Sequence, residues 1–190
     1  MGSTSFFSKK GHTMKNIITI FVFVSAIIVN AADWKTSATE MIKRFETFRP
    51  APYQDVNKKA IGWGFNDPNL VSRGHMTKEE ANRILEAYVV SIGGYVDVQV
   101  NVPLTDNQKA ALVVFIYNVG RGNFASSTLL KKLNQRAYGS VPSEIKRWNK
   151  VKRVINGKVV KDKSGKIVYD VAPGLVRRRA AEANLWNKID

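Results

Sequence analysis

Cysteine is absent from all 190 positions. Disulfides, thiolate nucleophiles and cysteine-based zinc sites are therefore excluded, and a chain of this length must fold on its apolar core alone. Histidine is nearly absent as well. His12 and His75 are the only two, they lie far apart, and no set of further ligands clusters around either, so no cofactor and no metal is expected. Acidic residues are scarce: 15 aspartates and glutamates stand against 30 lysines and arginines, a net charge of +15. That surplus predicts a polyanionic partner, whether nucleic acid, anionic lipid or the anionic polymers of a cell envelope, and says nothing about fold. Repeats and low-complexity stretches are missing too. The longest apolar run, Ile17 to Val29, has 13 residues, short of the roughly 20 that a stable membrane span needs.

What that run does resemble is an export signal. Lys9, Lys10 and Lys15 precede it, and Val29-Asn30-Ala31 supplies small residues at the first and third positions before a cut. Residues 1–31 are accordingly read as a polar leader and secretory signal, or a transient membrane anchor acting through residues 17–29, with cleavage expected after Ala31. Residues 32–190 are read as one domain. Removing 1–31 takes away three lysines and no acid, which leaves +12 on the domain itself.

Along the domain, the apolar spacing is mostly helical. Thr36 or Ser37 is expected to cap a helix carrying Met41, Ile42, Phe45 and Phe48, ended by Pro50 and Pro52. Tyr53 to Phe65 mixes turn residues, glycine and aromatics and predicts a small hairpin. Thr77 with Glu80, and Thr105 with Gln108, have capping-box spacing ahead of two further helices. Gly93-Gly94 is expected to loosen the first of these. The second presents Ala110, Ala111, Val114, Phe115 and Tyr117 to the core, and Gly120 and Gly122 break it. Short helices follow over Ser126–Leu133 and from Pro142 to about Trp148. Asn156-Gly157 and Ser164-Gly165 then mark an excursion hairpin between Val151 and Asp170, and Pro173 opens a last helix. The fold class is α+β and mostly α-helical. A small β-rich lobe beside a larger helical lobe would leave a cleft suited to a long polymer.

Two carboxyl groups then stand out. Glu46 lies near the end of the first helix between Phe45 and Phe48, where apolar neighbours disfavour ionisation and favour a proton donor. Asp55, nine positions on and beyond the double-proline corner, sits in a polar setting that keeps it charged. Contrasting carboxyl groups are what glycoside hydrolysis uses, although a Glu followed by an Asp is by itself unremarkable in any chain.

Their context carries a resemblance. The runs Phe45-Glu46-Thr47-Phe48-Arg49, Ala51-Pro52-Tyr53-Gln54-Asp55 and Ile61-Gly62-Trp63-Gly64 are similar to the active-site segment of the phage-type lysozymes, glycoside hydrolase family 24. The similarity continues through Val102-Pro103-Leu104-Thr105, Tyr117-Asn118-Val119-Gly120, Ser126-Ser127-Thr128-Leu129-Leu130, Trp148 and Gly174-Leu175-Val176-Arg177-Arg178-Arg179. It covers nearly all of residues 38–187 in one order. The resemblance implies a lysozyme-like two-lobed fold and hydrolysis of the β-1,4 bond between N-acetylmuramic acid and N-acetylglucosamine in peptidoglycan. It implies Glu46 as general acid and Asp55 as its partner, placing water or stabilising charge. Gly62 and Gly64 fall on the family's turn in the small lobe. Asn118 either lines the cleft and bonds a sugar amide or caps its helix. Arg178 or Arg179 either lies near Glu46 or faces solvent or phosphate, and Trp63 is read as packing rather than as a sugar platform. Peptidoglycan is then the expected partner, with anionic envelope polymers held by charge, no nucleic acid, and a monomeric protein. The expected location is the periplasm or the exterior, or a tether at the inner membrane before release.

Departures from the pattern leave alternatives open. Ala60 stands where the family usually has Thr, Phe65 where it often has His, and the loop after Asp55 is one residue shorter than in some relatives. A hydrolase with a reduced site, a lytic transglycosylase using Glu46 alone, and an inactive wall-binding module all remain consistent with the residues. So does membrane disruption by a basic C-terminal helix over Leu175–Ile189.

Overall fold

In a computed structural model of the chain, Met1, residues 33–55 and residues 58–189 are described, except for the side chain of Asp55. The apolar run 17–29 and the expected cleavage after Ala31 lie outside the described residues. The described residues from 33 onward form one compact unit, and no helix among the described residues is long and apolar enough to cross a membrane.

Helix α1 spans Trp34–Phe45 and begins earlier than expected. Asp33 occupies its N-cap without a side-chain bond, so neither Thr36 nor Ser37 caps it. The helix also ends before the prolines: Glu46 takes extended angles, and Pro50 and Pro52 belong to the following strand. That strand, β1 (Arg49–Asp55), pairs antiparallel with β2 (Lys58–Gly62), and Tyr53 lies opposite Ala60. Register is irregular between Arg49 and Tyr53, where Pro52, lacking an N–H, would otherwise break the ladder. With α2 (Pro68–Ser72) this hairpin makes the small lobe.

The larger lobe is helical. It comprises α3 (Lys78–Gln99), α4 (Asp106–Val119), α5 (Arg121–Ala125), α6 (Thr128–Asn134), α7 (Val141–Lys146) and α8 (Pro173–Trp186). At its centre, every residue of α4 from Ala110 to Ile116 is at most 1% exposed. A helix apolar on all sides is one surrounded by the rest of the core, and α1, α3 and α8 pack around it. The expected capping box is complete at its start: Thr105 Oγ1 accepts from Gln108 N, and Gln108 Oε1 accepts from Thr105 N. At α3 only half of the box forms. Thr77 Oγ1 accepts from Glu80 N, but the Glu80 carboxylate pairs with Arg73 at 2.5 Å.

Three expectations are corrected here. Gly93-Gly94 does not loosen α3, which runs unbroken to Gln99. Gly93 is instead a packing position, because a Cβ there would lie 2.1 Å from Trp34 Cη2. A short α5 stands between α4 and α6 where only a break was expected. The C-terminal segment is not a free amphipathic helix, since Arg178, Arg179, Ala183, Leu185 and Trp186 of α8 are all buried.

The excursion between α7 and α8 forms as expected. It consists of β3 (Lys150–Lys152) paired with β6 (Tyr169–Val171), and β4 (Val154–Ile155) paired with β5 (Lys158–Val159). Asn156 and Gly157 both have positive φ (51° and 75°), the geometry of a two-residue turn that matches strand twist.

Gly93→Ala is expected to lower stability by about 1–3 kcal/mol, because the indole of Trp34 has to move. Gly94→Ala, open on that side, should gain about 0.5–1 kcal/mol of helix stability. Urea denaturation of the two variants beside the parent checks both signs.

Candidate active site

The site forms where the first helix stops. The Glu46 N–H still donates to Ile42 O at 2.9 Å, while its φ and ψ of −101° and 117° turn the chain away from the helix axis. Its side chain keeps 21% exposure, and Oε1 accepts from Arg178 Nη1 at 2.6 Å. The carboxyl group is thus held by a charge-assisted bond from Arg178, one of the two arginines expected near it.

Gly64 closes the other side. Ile61 and Phe65 exchange backbone hydrogen bonds of 2.9 Å in both directions, which folds the intervening residues into a tight turn. Gly64 has φ of 91°, and a Cβ on it would sit 3.1 Å from Glu46 Oε2 and 3.9 Å from the Tyr53 hydroxyl. Glycine here serves both the backbone angle and the close approach. Gly62, with φ of 65°, is buried against Met76 and Phe65 and shapes the same turn from beneath. Tyr117 anchors the turn to α4 by donating its hydroxyl to Trp63 O at 2.9 Å. Burial first, and the Glu46 charge second, push that hydroxyl well above its ordinary pKa, so it stays a donor. Trp63 is a packing residue: it is 6% exposed, its Nε1 donates to Asn82 Oδ1 at 3.0 Å, and its ring lies 5.4 Å from Phe48.

Behind Glu46 stands a buried ionic cluster on α8. Glu182, fully buried, accepts from Arg178 Nε at 3.3 Å and from Arg179 Nη1 at 2.7 Å. Arg179 Nη2 also donates to Asn118 Oδ1. Asn118 is therefore exposed but engaged through its oxygen, and Gly120, not Asn118, caps α4. The two arginines also lie over aromatic rings, Arg178 on Phe45 at 5.4 Å and Arg179 on Phe115 at 5.0 Å. Burial pushes the Glu182 carboxyl up to about 7 against the pull of both guanidiniums, and lowers Arg179 to about 10. Both directions reflect the cost of taking charges out of water.

Of the expected site residues, Glu46, Gly64 and Arg178 come together. Asp55 has its backbone at the end of β1 opposite Lys58, and its side chain lies outside the described residues. Ala60 is 1% exposed and brings no hydroxyl. Tyr117 and Glu182 were missed, the first because it fits the apolar face of α4. Glu182 carried a readable signal, since it stands four positions after Arg178 and three after Arg179 on one helix. Gly64 and Tyr117 line a cavity of about 430 Å³ with Phe65, Tyr88 and Arg121. Arg178 and Phe45 line a second, of about 620 Å³, with Arg44 and Arg177. The two contacts of Glu46 therefore belong to different cavities. Among the described residues no cluster of three or more His, Asp or Glu side chains could hold a metal.

A family model described as phage lysozyme matches residues 43–182. The chain is 34% identical over 147 residues to an endolysin of Acyrthosiphon pisum secondary endosymbiont phage 1, covering 77% of this chain and 92% of that protein. It is 35% identical over 150 residues to an endolysin of Bacillus phage PZA, covering 77% of this chain but only 52% of that protein. It is 28% identical over 146 residues to a SAR-endolysin of Bacteriophage PS119, covering 75% of this chain and 78% of that protein. Among solved structures it is similar to the muramidase domain of SpmX from Asticaccaulis excentricus, with a TM-score of 0.66 and 28% identity over 80% of this chain and 96% of that one.

Replacing Glu182 by Ala is expected to cost about 3–5 kcal/mol, because it leaves two buried guanidiniums without their shared carboxylate. Thermal denaturation followed by circular dichroism measures it, and the same change at exposed Glu86 should cost almost nothing.

Proposed function

The chain belongs to the phage lysozyme family, and from that premise we propose that it is an endolysin that cleaves peptidoglycan at the β-1,4 bond between N-acetylmuramic acid and N-acetylglucosamine. The observation that carries this reading is Glu46, ion-paired to Arg178 and pressed against Gly64 where the small lobe meets the helical one. Its partial exposure leaves the carboxyl reachable by a substrate oxygen, while Arg178 and the Gly64 turn fix its orientation. Glu46 protonates the leaving oxygen, and Asp55 positions the attacking water or stabilises the positive charge on the sugar. Arg178 acts through Glu46 as a positioning residue. The cavity beside Gly64 and Tyr117 takes part of the glycan, with Tyr88 offering a ring and Arg121 a donor.

One observation favours a second reading. Ala60 is buried and has no hydroxyl to hold water. If water is not held, the muramyl hydroxyl closes on the anomeric carbon instead, and Glu46 alone serves as acid and then base, as in a lytic transglycosylase.

The leader in residues 1–31 supports export to the periplasm or exterior, or a tether at the inner membrane before release. The domain works as a monomer. Its surplus of basic residues concentrates it on an anionic wall.

Digestion of purified peptidoglycan, with products read by mass spectrometry, tests the proposal. Hydrolysis yields free reducing muramic ends, transglycosylation yields anhydro-muramyl ends, and absence of both from folded protein removes the enzymatic reading. Activity on intact walls should also fall severalfold as added salt shortens the screening length from about 10 Å at 0.1 M to about 3 Å at 1 M.

A further inference from the structure

The excursion between α7 and α8 takes no part in the site, and its composition is not that of a plain connection. Residues 150–171 carry seven lysines and arginines against two aspartates, a surplus of five positive charges. Both aspartates are already engaged. Asp170 forms a bidentate pair with Arg153, at 2.5 and 2.9 Å. Asp162 closes its own turn by accepting from Ser164 N, Ser164 Oγ and Lys166 N at 2.7–3.0 Å. Lys150, Lys152, Lys158, Lys161, Lys163 and Lys166 are left exposed, with no acidic partner among the described residues.

Interleaved with these lysines is apolar surface that covers nothing. Val151, Val154, Ile155, Val159, Tyr169 and Val171 are 43–57% exposed, and these six make up half of the large hydrophobic side chains exposed among the described residues. Every residue from 150 to 159 is exposed. Val154 and Val159 lie directly opposite one another in register, so their side chains share one face of the hairpin, while Ile155 emerges on the other. A two-stranded ribbon with no core is marginal in water. Lysines on strand edges discourage edge-to-edge pairing and need no further explanation. The valines, the isoleucine and the tyrosine do need one, since side chains left 43–57% exposed forgo most of the stabilisation that burial gives, and their grouping on one short excursion marks an interaction surface.

We infer that this excursion docks on an anionic lipid bilayer surface, its lysines meeting headgroup phosphates and its valines and Tyr169 entering the headgroup boundary. Charge complementarity selects an anionic partner, and the paired apolar side chains select lipid over a soluble polyanion, which would leave them in water. Tyrosine suits the boundary layer because its ring is apolar and its hydroxyl polar. The excursion is also set for presentation: at its root Ala172 N donates to Asn149 O at 2.9 Å, and the adjoining Trp148 meets Phe115 of the core edge-to-face at 5.6 Å. A ribbon rooted on the core and exposed from 150 to 159 can meet a flat surface without disturbing the domain.

The absence of cysteine makes the test direct. In the full chain, Val154→Cys and, as a control on α3, Val98→Cys (74% exposed in the parent) are each labelled with an environment-sensitive nitrobenzoxadiazole dye. With vesicles of phosphatidylglycerol and phosphatidylcholine, the dye at 154 should brighten several-fold and shift to the blue. The dye at 98 should not change, nor should either dye with phosphatidylcholine alone. Changing Lys150, Lys152, Lys158 and Lys161 together to Gln should abolish the response at 154. Because both labelled chains keep residues 1–31, attachment through that segment does not mimic the result. No response at 154 on anionic vesicles overturns the proposal, as does an equal response at 98. A response on phosphatidylcholine of the same size would assign the surface to apolar contact alone, contrary to the proposal. Brightening without vesicles that grows with protein concentration would assign it to a second copy of the chain.

Discussion

Glu182 is fully buried, and it is shared by two arginines that are themselves buried. That arrangement constrains much of what surrounds it. Removing charges from water is costly, and a buried ion pair returns little net stability compared with apolar packing of the same volume. What it does provide is geometry. Arg178 is held by Glu182 through Nε, so Nη1 can reach across to Glu46, on an element 132 residues away in sequence. Arg179 is held through Nη1, so Nη2 reaches Asn118 on α4. One carboxylate thereby registers the last helix against the central helix and against the end of the first. A neutral replacement that packed well would lose that registration even if it kept the fold.

The remaining supports of Glu46 come from the small lobe. Tyr117 pins the turn at Trp63 to α4, and the glycine at 64 supplies the positive φ of the turn and brings the backbone so near the carboxylate that a Cβ would crowd it at 3.1 Å. The central helix thus holds both sides of the site, through Asn118 and Arg179 on one side and Tyr117 on the other. Its own position is set by complete burial from Ala110 to Ile116. The chain from apolar patterning to candidate chemistry therefore passes through one helix, whose last turn carries the two polar side chains that reach outward.

Much of this was legible in the sequence where the cause is local. The box at Thr105 and Gln108, the turn at Asn156-Gly157 and the hairpin after the double proline each depend on residues within a few positions of one another. The failures depend on residues far away. Gly93 reads as a helix breaker until Trp34 is seen packed against it. Glu80 reads as half of a capping box until Arg73 takes its carboxylate. For the arginines of α8 the sequence left a place near Glu46 and a solvent-facing place both open, because nothing nearby says that Phe45, Phe115 and Asn118 will cover them. At the site, Glu46 was found from its context and Arg178 was one of two candidates. Tyr117 was hidden because an aromatic residue on an apolar face looks like core. Asp55, to which the family resemblance gives the handling of water, was likewise found from its context.

The central claim is that Glu46 is the proton donor, held in place by Arg178. Glu46→Gln tests it most directly, since an amide oxygen can still accept from Arg178 while the group can no longer give up a proton at useful pH. The Glu46→Gln protein is expected to stay folded, with a melting temperature lowered by about 2–4 °C because a neutral acceptor loses about 1 kcal/mol at Arg178, and to cleave peptidoglycan about a hundredfold or more slowly. A folded Glu46→Gln protein that cleaves peptidoglycan at the parent rate would contradict it.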